Sequence, residues 1–286
     1  MISSSKRNIE KVIVLGSGSS IKELSKHEVE YINKCKTVIA INKFAAFYKL
    51  SGIIPTHIYF HDFFGLEMFK FLVSRLKNKE FNNLKIYTNK YFRNYFYSNN
   101  IQLLTNIFRD LFLRLYSLLI LIFFRFKNSK VQERIVLFRN FAYEKVDSHI
   151  TFVPIDVTNS INNFYWAKNI KEKIFHFRGS LSSVLNLVTI LFPNRDVFLV
   201  GNDFNGSKYF FQNELEELGD FWKDFTTPMV KNEGSHYSFQ KIEGRTIESA
   251  FPFIISEMKK TKNKLFCINE DSLLVRKNLV NFKRLI

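Results

Sequence analysis

His236, set between Ser235 and Tyr237 and close after Gly234, is the best candidate base in the chain. An imidazole with a pKa near ~6.5 is poised to remove a hydroxyl proton at neutral pH. A lone loop histidine is more often structural or merely exposed, so that reading needs a partner site. The strongest one is the stretch Lys11-Val-Ile-Val-Leu-Gly-Ser-Gly-Ser-Ser20. An apolar, mostly β-branched run enters a turn made of Gly16, Ser17, Gly18, Ser19 and Ser20, and a polar helical pattern follows over Ile21 to Asn33. Strand, tight glycine turn and helix N-terminus is the order in which α/β proteins hold a phosphate. Backbone N–H groups and the helix dipole then face the anion.

Other polar residues end the later apolar runs. Asn42 follows the second and can hydrogen-bond a phosphate or sugar oxygen, or else cap the next helix. His61 and Asp62 follow the third and either face the same crevice or form a turn pair. What is missing narrows the chemistry. Position 21 is Ile, so the loop is not the full Gly-x-Gly-x-x-Gly fingerprint, and no acidic residue ends the second strand to hold a ribose. No Gly-Lys-Ser/Thr follows, which rules out a P-loop. No Asp-x-Asp pair stands at a strand end, so dependence on a hard cation is not expected. A leaving group with a single phosphate can be stabilised by hydroxyls, amides and cations alone. Tyr209, Tyr237, Asn42, Lys43 and several serines supply them.

The elements that must position these groups read as an alternating α/β chain. Apolar runs at Val12–Leu15, Thr37–Ile41, His57–Phe60, Lys85–Thr88, Val197–Val200 and Leu265–Ile268 predict strands covered on both faces, as in a parallel sheet. Helical patterns lie between them, over 21–33, 44–51 (ended by Gly52 and Pro55), 66–77 and 180–192, with a last one from Thr246 that Pro252 is expected to kink. Right-handed crossovers then bring the strand ends into one crevice. From about 90 to 175 the pattern changes to aromatic and basic residues with few glycines. Residues 106–126 read as one long helix, apolar nearly all round between Leu115 and Phe124. Such a helix is buried, paired in an oligomer, or lies in a membrane interface. The expected organisation is an α/β domain of residues 1–90 and 176–286 around a mostly helical lid or insert, 91–175.

Composition bounds the partners. The chain has 286 residues, 46% of them apolar, which is ample for a core and excludes global disorder. Its net charge of +16 favours anionic partners: nucleic acid, phosphorylated or acidic sugars, or an anionic membrane surface. Lysine over-use in an AT-rich genome also produces such an excess. Nucleic-acid binding would rest on net charge alone, since no recognition module is present. Cys35 and Cys267 are the only cysteines, both in apolar surroundings, and fit small buried residues in a reducing compartment. The first residues are polar, and the longest apolar run, Tyr116 to Phe124, is about half the ~20 residues that span a bilayer. A cytoplasmic location is expected, with peripheral contact at the inner membrane face.

Taken in order, the motifs resemble the bacterial sialyltransferases of glycosyltransferase family 42, which use CMP-N-acetylneuraminic acid. The pieces that carry the resemblance are Val12-Ile-Val-Leu-Gly-Ser-Gly-Ser-Ser20, Ile41-Asn-Lys-Phe44, Arg178 with its serine-rich helix, Gly201-Asn-Asp-Phe204, Ser235-His-Tyr237, and Phe266-Cys-Ile-Asn269 with Ser272-Leu-Leu274. They cover roughly 1–62 and 176–276. The resemblance implies a Rossmann-like, GT-A-like parallel sheet with a lid, and inverting transfer of a sialic acid without metal or cofactor. The acceptor would be a hydroxyl of a cell-surface glycan or glycolipid such as lipooligosaccharide. It implies that Gly16 to Ser20 and Asn42 contact CMP, that Ser180 contacts the nucleotide sugar, and that His61, Gly201 and Asp203 line the donor site. His236 would be the general base, Tyr209 would stabilise the departing phosphate, and Arg178 and Tyr237 would complete the catalytic set. Homo-oligomers are common in the family.

The departures surround the donor. The family has Asn between the loop glycines where Ser17 stands here, and Asn at the end of the third strand where His61 stands. A second phosphate-binding Tyr is replaced at Asn205, and the run after Arg178 becomes Ser180-Leu-Ser-Ser183. Donors carrying another CMP-linked acid, Kdo or another nonulosonate, therefore stay open. So does a nucleotide-binding, membrane-associated protein without turnover.

Overall fold

A computed structural model describes residues 9–61, 84–89, 150–157, 164–205, 208–217, 237–239, 241 and 245–286. Its centre is a sheet of β1 (Ile9–Leu15), β2 (Cys35–Ile41), β3 (His57–Phe60), β4 (Lys85–Asn89), β5 (Ile150–Val153), β8 (Asp196–Val200), β9 (Lys264–Cys267) and β10 (Asn281–Phe282). These eight strands lie in the order β10-β9-β8-β1-β2-β3-β4-β5, and every pairing is parallel. A two-stranded parallel ribbon of β6 (Ile155–Val157) and β7 (Ile174–His176) stands apart. The fold is thus the Rossmann-like α/β class expected.

Continuous apolar runs make these strands because both faces of the sheet are covered. Along β1, Val12 and Val14 enter one apolar layer while Ile13 and Leu15 enter the other. The same alternation runs along β8, with Val197 and Leu199 on one side and Phe198 and Val200 on the other. A strand's period of two puts neighbours on opposite faces. The first layer is filled by the helices Ser180–Leu191 and Phe251–Lys260; the second by Lys26–Lys34, the 42–51 segment and Phe210 to Leu215.

The chain runs outward from β1 through β5 on one side and from β8 through β10 on the other. The carboxyl ends of β1 and β8 therefore flank a topological switch point, where open α/β sheets bind ligands. Cys35 and Cys267 are both buried thiols.

Several expectations are corrected. No single helix follows the glycine turn: a 3-10 segment, Ser19–Glu23, is followed by a break, and the helix spans Lys26–Lys34. The break is set by a capping box, in which Ser25 Oγ accepts from Glu28 N at 3.2 Å and Glu28 accepts from Ser25 N at 2.9 Å. Pro252 does not kink a helix but lies in the first turn of Phe251–Lys260, where its missing N–H is harmless. Residues 150–153, inside the 91–175 stretch, join the main sheet beside β4, and Trp166 and Phe175 enter its core. Ile150-Thr-Phe-Val153 suits a strand by its residue types, but which sheet it joins is decided by pairing with the distant β4. The helices read at 66–77 and 106–126 lie outside the described residues, as do Asp62 and His236. No helix among the described residues is long and apolar enough to cross a membrane.

Candidate functional site

The glycine turn is braced on β8 and the turn after it. Gly16 N donates to Val200 O at 2.8 Å and Gly18 N to Gly201 O at 2.8 Å. Two of its amides thus fasten the loop instead of facing outward. A Cβ at Gly16 would lie 2.8 Å from the Asn202 side chain and closer still to Gly201 O. Gly201 itself sits at φ +67, which favours glycine. Below the loop, Asp203 is a keystone. Its Oδ2 accepts Ser20 N at 3.0 Å, and its Oδ1 accepts Ser20 Oγ at 2.5 Å and Asn269 Nδ2 at 2.9 Å. Asn202 Nδ2 donates to Val14 O at 3.1 Å, and Ser272 Oγ to Asn202 O at 2.7 Å. Gly201-Asn-Asp-Phe204 therefore shapes the loop from behind.

A second cluster joins the ends of β2 and β3 to the Ser180–Leu191 helix. Asn42 adopts φ +49, a left-handed conformation that Asn tolerates. Its Nδ2 donates to Ser180 Oγ at 3.0 Å and its Oδ1 accepts His61 N at 2.9 Å. Ser180 Oγ closes the triangle by donating to His61 O at 3.1 Å. The His61 ring meets His176 edge to face, with centroids 4.7 Å apart, and Asn89 Nδ2 lies 3.5 Å from His61 Nδ1. His176 Nδ1 pairs with Ser183 Oγ at 2.8 Å. Burial, reinforced by the charge His61 can carry, pushes the His176 pKa down to about 3. Burial likewise pushes the Tyr59 phenol, beside Ser183, and the Cys267 thiol up.

Tyr209 reaches the glycine loop through the backbone. It forms an isolated antiparallel bridge with Gly18, and Phe210 N donates to Ser17 O at 3.1 Å. The following rings fix this segment: Phe210 lies 5.0 Å from Phe44, Phe211 stacks on Phe47 at 4.3 Å, and Tyr209 stacks on Phe211 at 5.1 Å. Buried Lys43 holds its ammonium 5.8 Å from the Tyr209 ring centroid, a cation near an aromatic face. On the far side, Arg178 sits at φ +58 in the turn between β7 and the Ser180–Leu191 helix, and its carbonyl accepts Ser238 Oγ at 2.5 Å. Phe239 packs on Phe204 with centroids 5.3 Å apart. The 3-10 turn Tyr237–Phe239 is thereby docked to both motif segments.

Gly16, Ser17, Gly18, Ser19, Ser20, Gly201, Asp203 and Tyr209 form one constellation, and Asn42, His61 and Ser180 another, both on the carboxyl edge of the sheet. Arg178 and the backbone of Tyr237 adjoin the second through the turn before Ser180. Asp203 has three of its contacts inside the protein, so its place is behind the loop. Sequence reasoning passed over His176 and Asn89. Both are polar residues closing a short apolar run, the same signal that singled out Asn42 and His61.

No family model matches the chain, and no curated protein matches it. Among solved structures it is similar to two of the sialyltransferase CST-II, each a variant in complex with CMP. One is 19% identical, with a TM-score of 0.44, covering 95% of this chain and 86% of the other. The second is 17% identical, with a TM-score of 0.42, covering 95% and 85%.

Proposed function

We propose that this chain is an inverting glycosyltransferase that moves a sialic acid from CMP-sialic acid to a hydroxyl of a cell-surface glycan such as lipooligosaccharide. The observation that carries the reading is the bridge between Gly18 and Tyr209. Residues nearly two hundred positions apart meet there: the loop that the family resemblance assigns to CMP and the tyrosine it assigns to the departing phosphate. They meet at the switch point of a parallel sheet, where such a donor would bind.

In this mechanism His236 takes the proton of the acceptor hydroxyl. The freed oxygen attacks the anomeric carbon, and the bond from that carbon to the phosphate oxygen breaks with its electron pair leaving on CMP. Tyr209, Tyr237 and loop amides other than those of Gly16, Gly18 and Ser20, which fasten the loop, stabilise the charge that develops on the phosphate. The buried Lys43 ammonium near the Tyr209 ring adds positive potential on that side. The reaction needs no metal or cofactor. Ser238 is tied to Arg178 beside the helix that carries Ser180. A basic chain suits the carboxylate of the sugar and an anionic membrane surface. Another CMP-linked acid is the second reading of the donor, favoured by the imidazole of His61 where the family has an amide.

The test is a thermal-shift screen of CMP, UDP, GDP and NAD in the presence of a chelator, followed by transfer from CMP-sialic acid. Stabilisation by CMP alone and release of CMP above background are expected. Stabilisation only by UDP or NAD would sink the proposal.

A further inference from the structure

His61 is constrained from several sides. Its backbone N–H and carbonyl are fastened to Asn42 and Ser180 at 2.9 and 3.1 Å. Its imidazole is met by Asn89 from the end of β4 and by His176 from β7. His176 is in turn braced on Ser183, in the first turn of the Ser180–Leu191 helix. Four elements thus converge to orient one partly exposed imidazole. A ring that only filled space would need no such set of polar restraints. Holding a polar group in one orientation through supporting hydrogen bonds is what binding and catalytic sites require.

We infer that His176 is a positioning residue that acts through His61. As a neutral imidazole braced on Ser183, it holds the His61 ring so that Nε2 carries the proton and donates to an oxygen of the bound sugar nucleotide. The tautomer follows from Asn89. An amide N–H facing Nδ1 makes that nitrogen the acceptor, so the proton of the neutral ring sits on Nε2. His176 fits this task because burial keeps it uncharged; a charged ring 4.7 Å away would oppose any positive charge on His61. The groups facing the pair among the described residues include Asn89, Asn42, Ser180 and Ser183, with the Tyr59 phenol beside Ser183 and Arg178 two residues along from His176. Among the described residues, the charge that acts on His176 is that of His61. The oxygen that His61 reads belongs to the CMP moiety of the donor, so this part rests on the proposed function.

The test uses the full chain labelled with 15N. Long-range imidazole spectra report the His61 tautomer, and calorimetry reports CMP affinity. The Nε2–H tautomer is expected for His61 in the wild type, and a mixture of tautomers in His176→Ala. CMP binding should weaken about 10-fold in His176→Ala, the loss of one well-placed hydrogen bond. His176→Phe keeps the ring contact and recovers part of it; it also serves as the reporter if the alanine variant fails to fold. In a His61→Ala background, His176→Ala should have no further effect on affinity. Additive losses, or a His61 tautomer indifferent to both His176 variants, would overturn the inference. If the wild type binds no CMP while the tautomer still shifts, the coupling of the two histidines stands and the CMP reading of the crevice falls.

Discussion

Gly18→Ala isolates the contact on which the glycine loop depends. Gly18 sits at φ −68 and ψ 160, an extended conformation open to any residue. Alanine therefore suffers no backbone strain there and should gain about 0.4–1 kcal/mol by restricting the unfolded chain. Everything unfavourable must come from contact. The new Cβ would fall on the Asp203 carboxylate, 2.5 Å from Cγ, and 2.9 Å from Gly201 O. That carboxylate is held by Ser20 N, Ser20 Oγ and Asn269 Nδ2. Making room breaks one or two hydrogen bonds to a charged acceptor, each worth about 1.5–3 kcal/mol. The net destabilisation should be about 0.5–5.5 kcal/mol, read from urea unfolding followed by tryptophan fluorescence. The sharper assay is a double-mutant cycle with Asp203→Ala. Once the carboxylate is gone, Gly18→Ala should be at least about 1.5 kcal/mol less harmful. Additivity within about 0.5 kcal/mol would refute the reasoning, because the two residues would then not be in contact as described.

Other outcomes follow from the same geometry. Asn42→Ala removes the bonds to Ser180 and His61 and forces a non-glycine residue into the left-handed region, so a loss of about 2–4 kcal/mol is expected in denaturant titrations, with Asn42→Gly less affected. His176 titrates near its ordinary 6.5 when unfolded but at about 3 when folded. Below pH 6.5 the unfolded chain takes up a proton that the folded chain refuses, so stability should fall as pH drops from 6.5 toward 3. About 2 kcal/mol should be lost by pH 5 through this group, and His176→Phe should abolish that share of the change in urea midpoint. Tyr209→Phe keeps the stacking on Phe211, so melting should be nearly unchanged while transfer from CMP-sialic acid falls at least about 10-fold. His236→Ala should lose transfer by about 100-fold or more while calorimetry finds CMP binding intact; near-normal transfer would mean that another group is the base.

Much of the fold is written in local pattern. Val12 to Leu15 and Val197 to Val200 are strands in any reading, because four consecutive apolar residues bounded by turn formers suit a strand covered on both faces. The glycine turn, Asn42 and His61 at strand ends, and the serine-rich helix after Arg178 are equally legible from residue type and spacing. Three things needed the tertiary structure. Ile150-Thr-Phe-Val153 has strand-forming residues, but its place in the main sheet as β5 comes from pairing with β4. The 3-10 segment Ser19–Glu23 is held apart from the helix that starts at Lys26 by the bonds of Ser20 to Asp203, while the Ser25–Glu28 capping box that opens the helix is a local signature. The roles of Asp203 and His176 depend on neighbours far along the chain, Ser20 and Asn269 for one and His61 for the other. Hydrogen-bond partners of that separation leave no periodic trace. The sequence determines which polar residues reach the sheet edge. Chain topology alone decides which of them face the crevice and which are used to hold those that do.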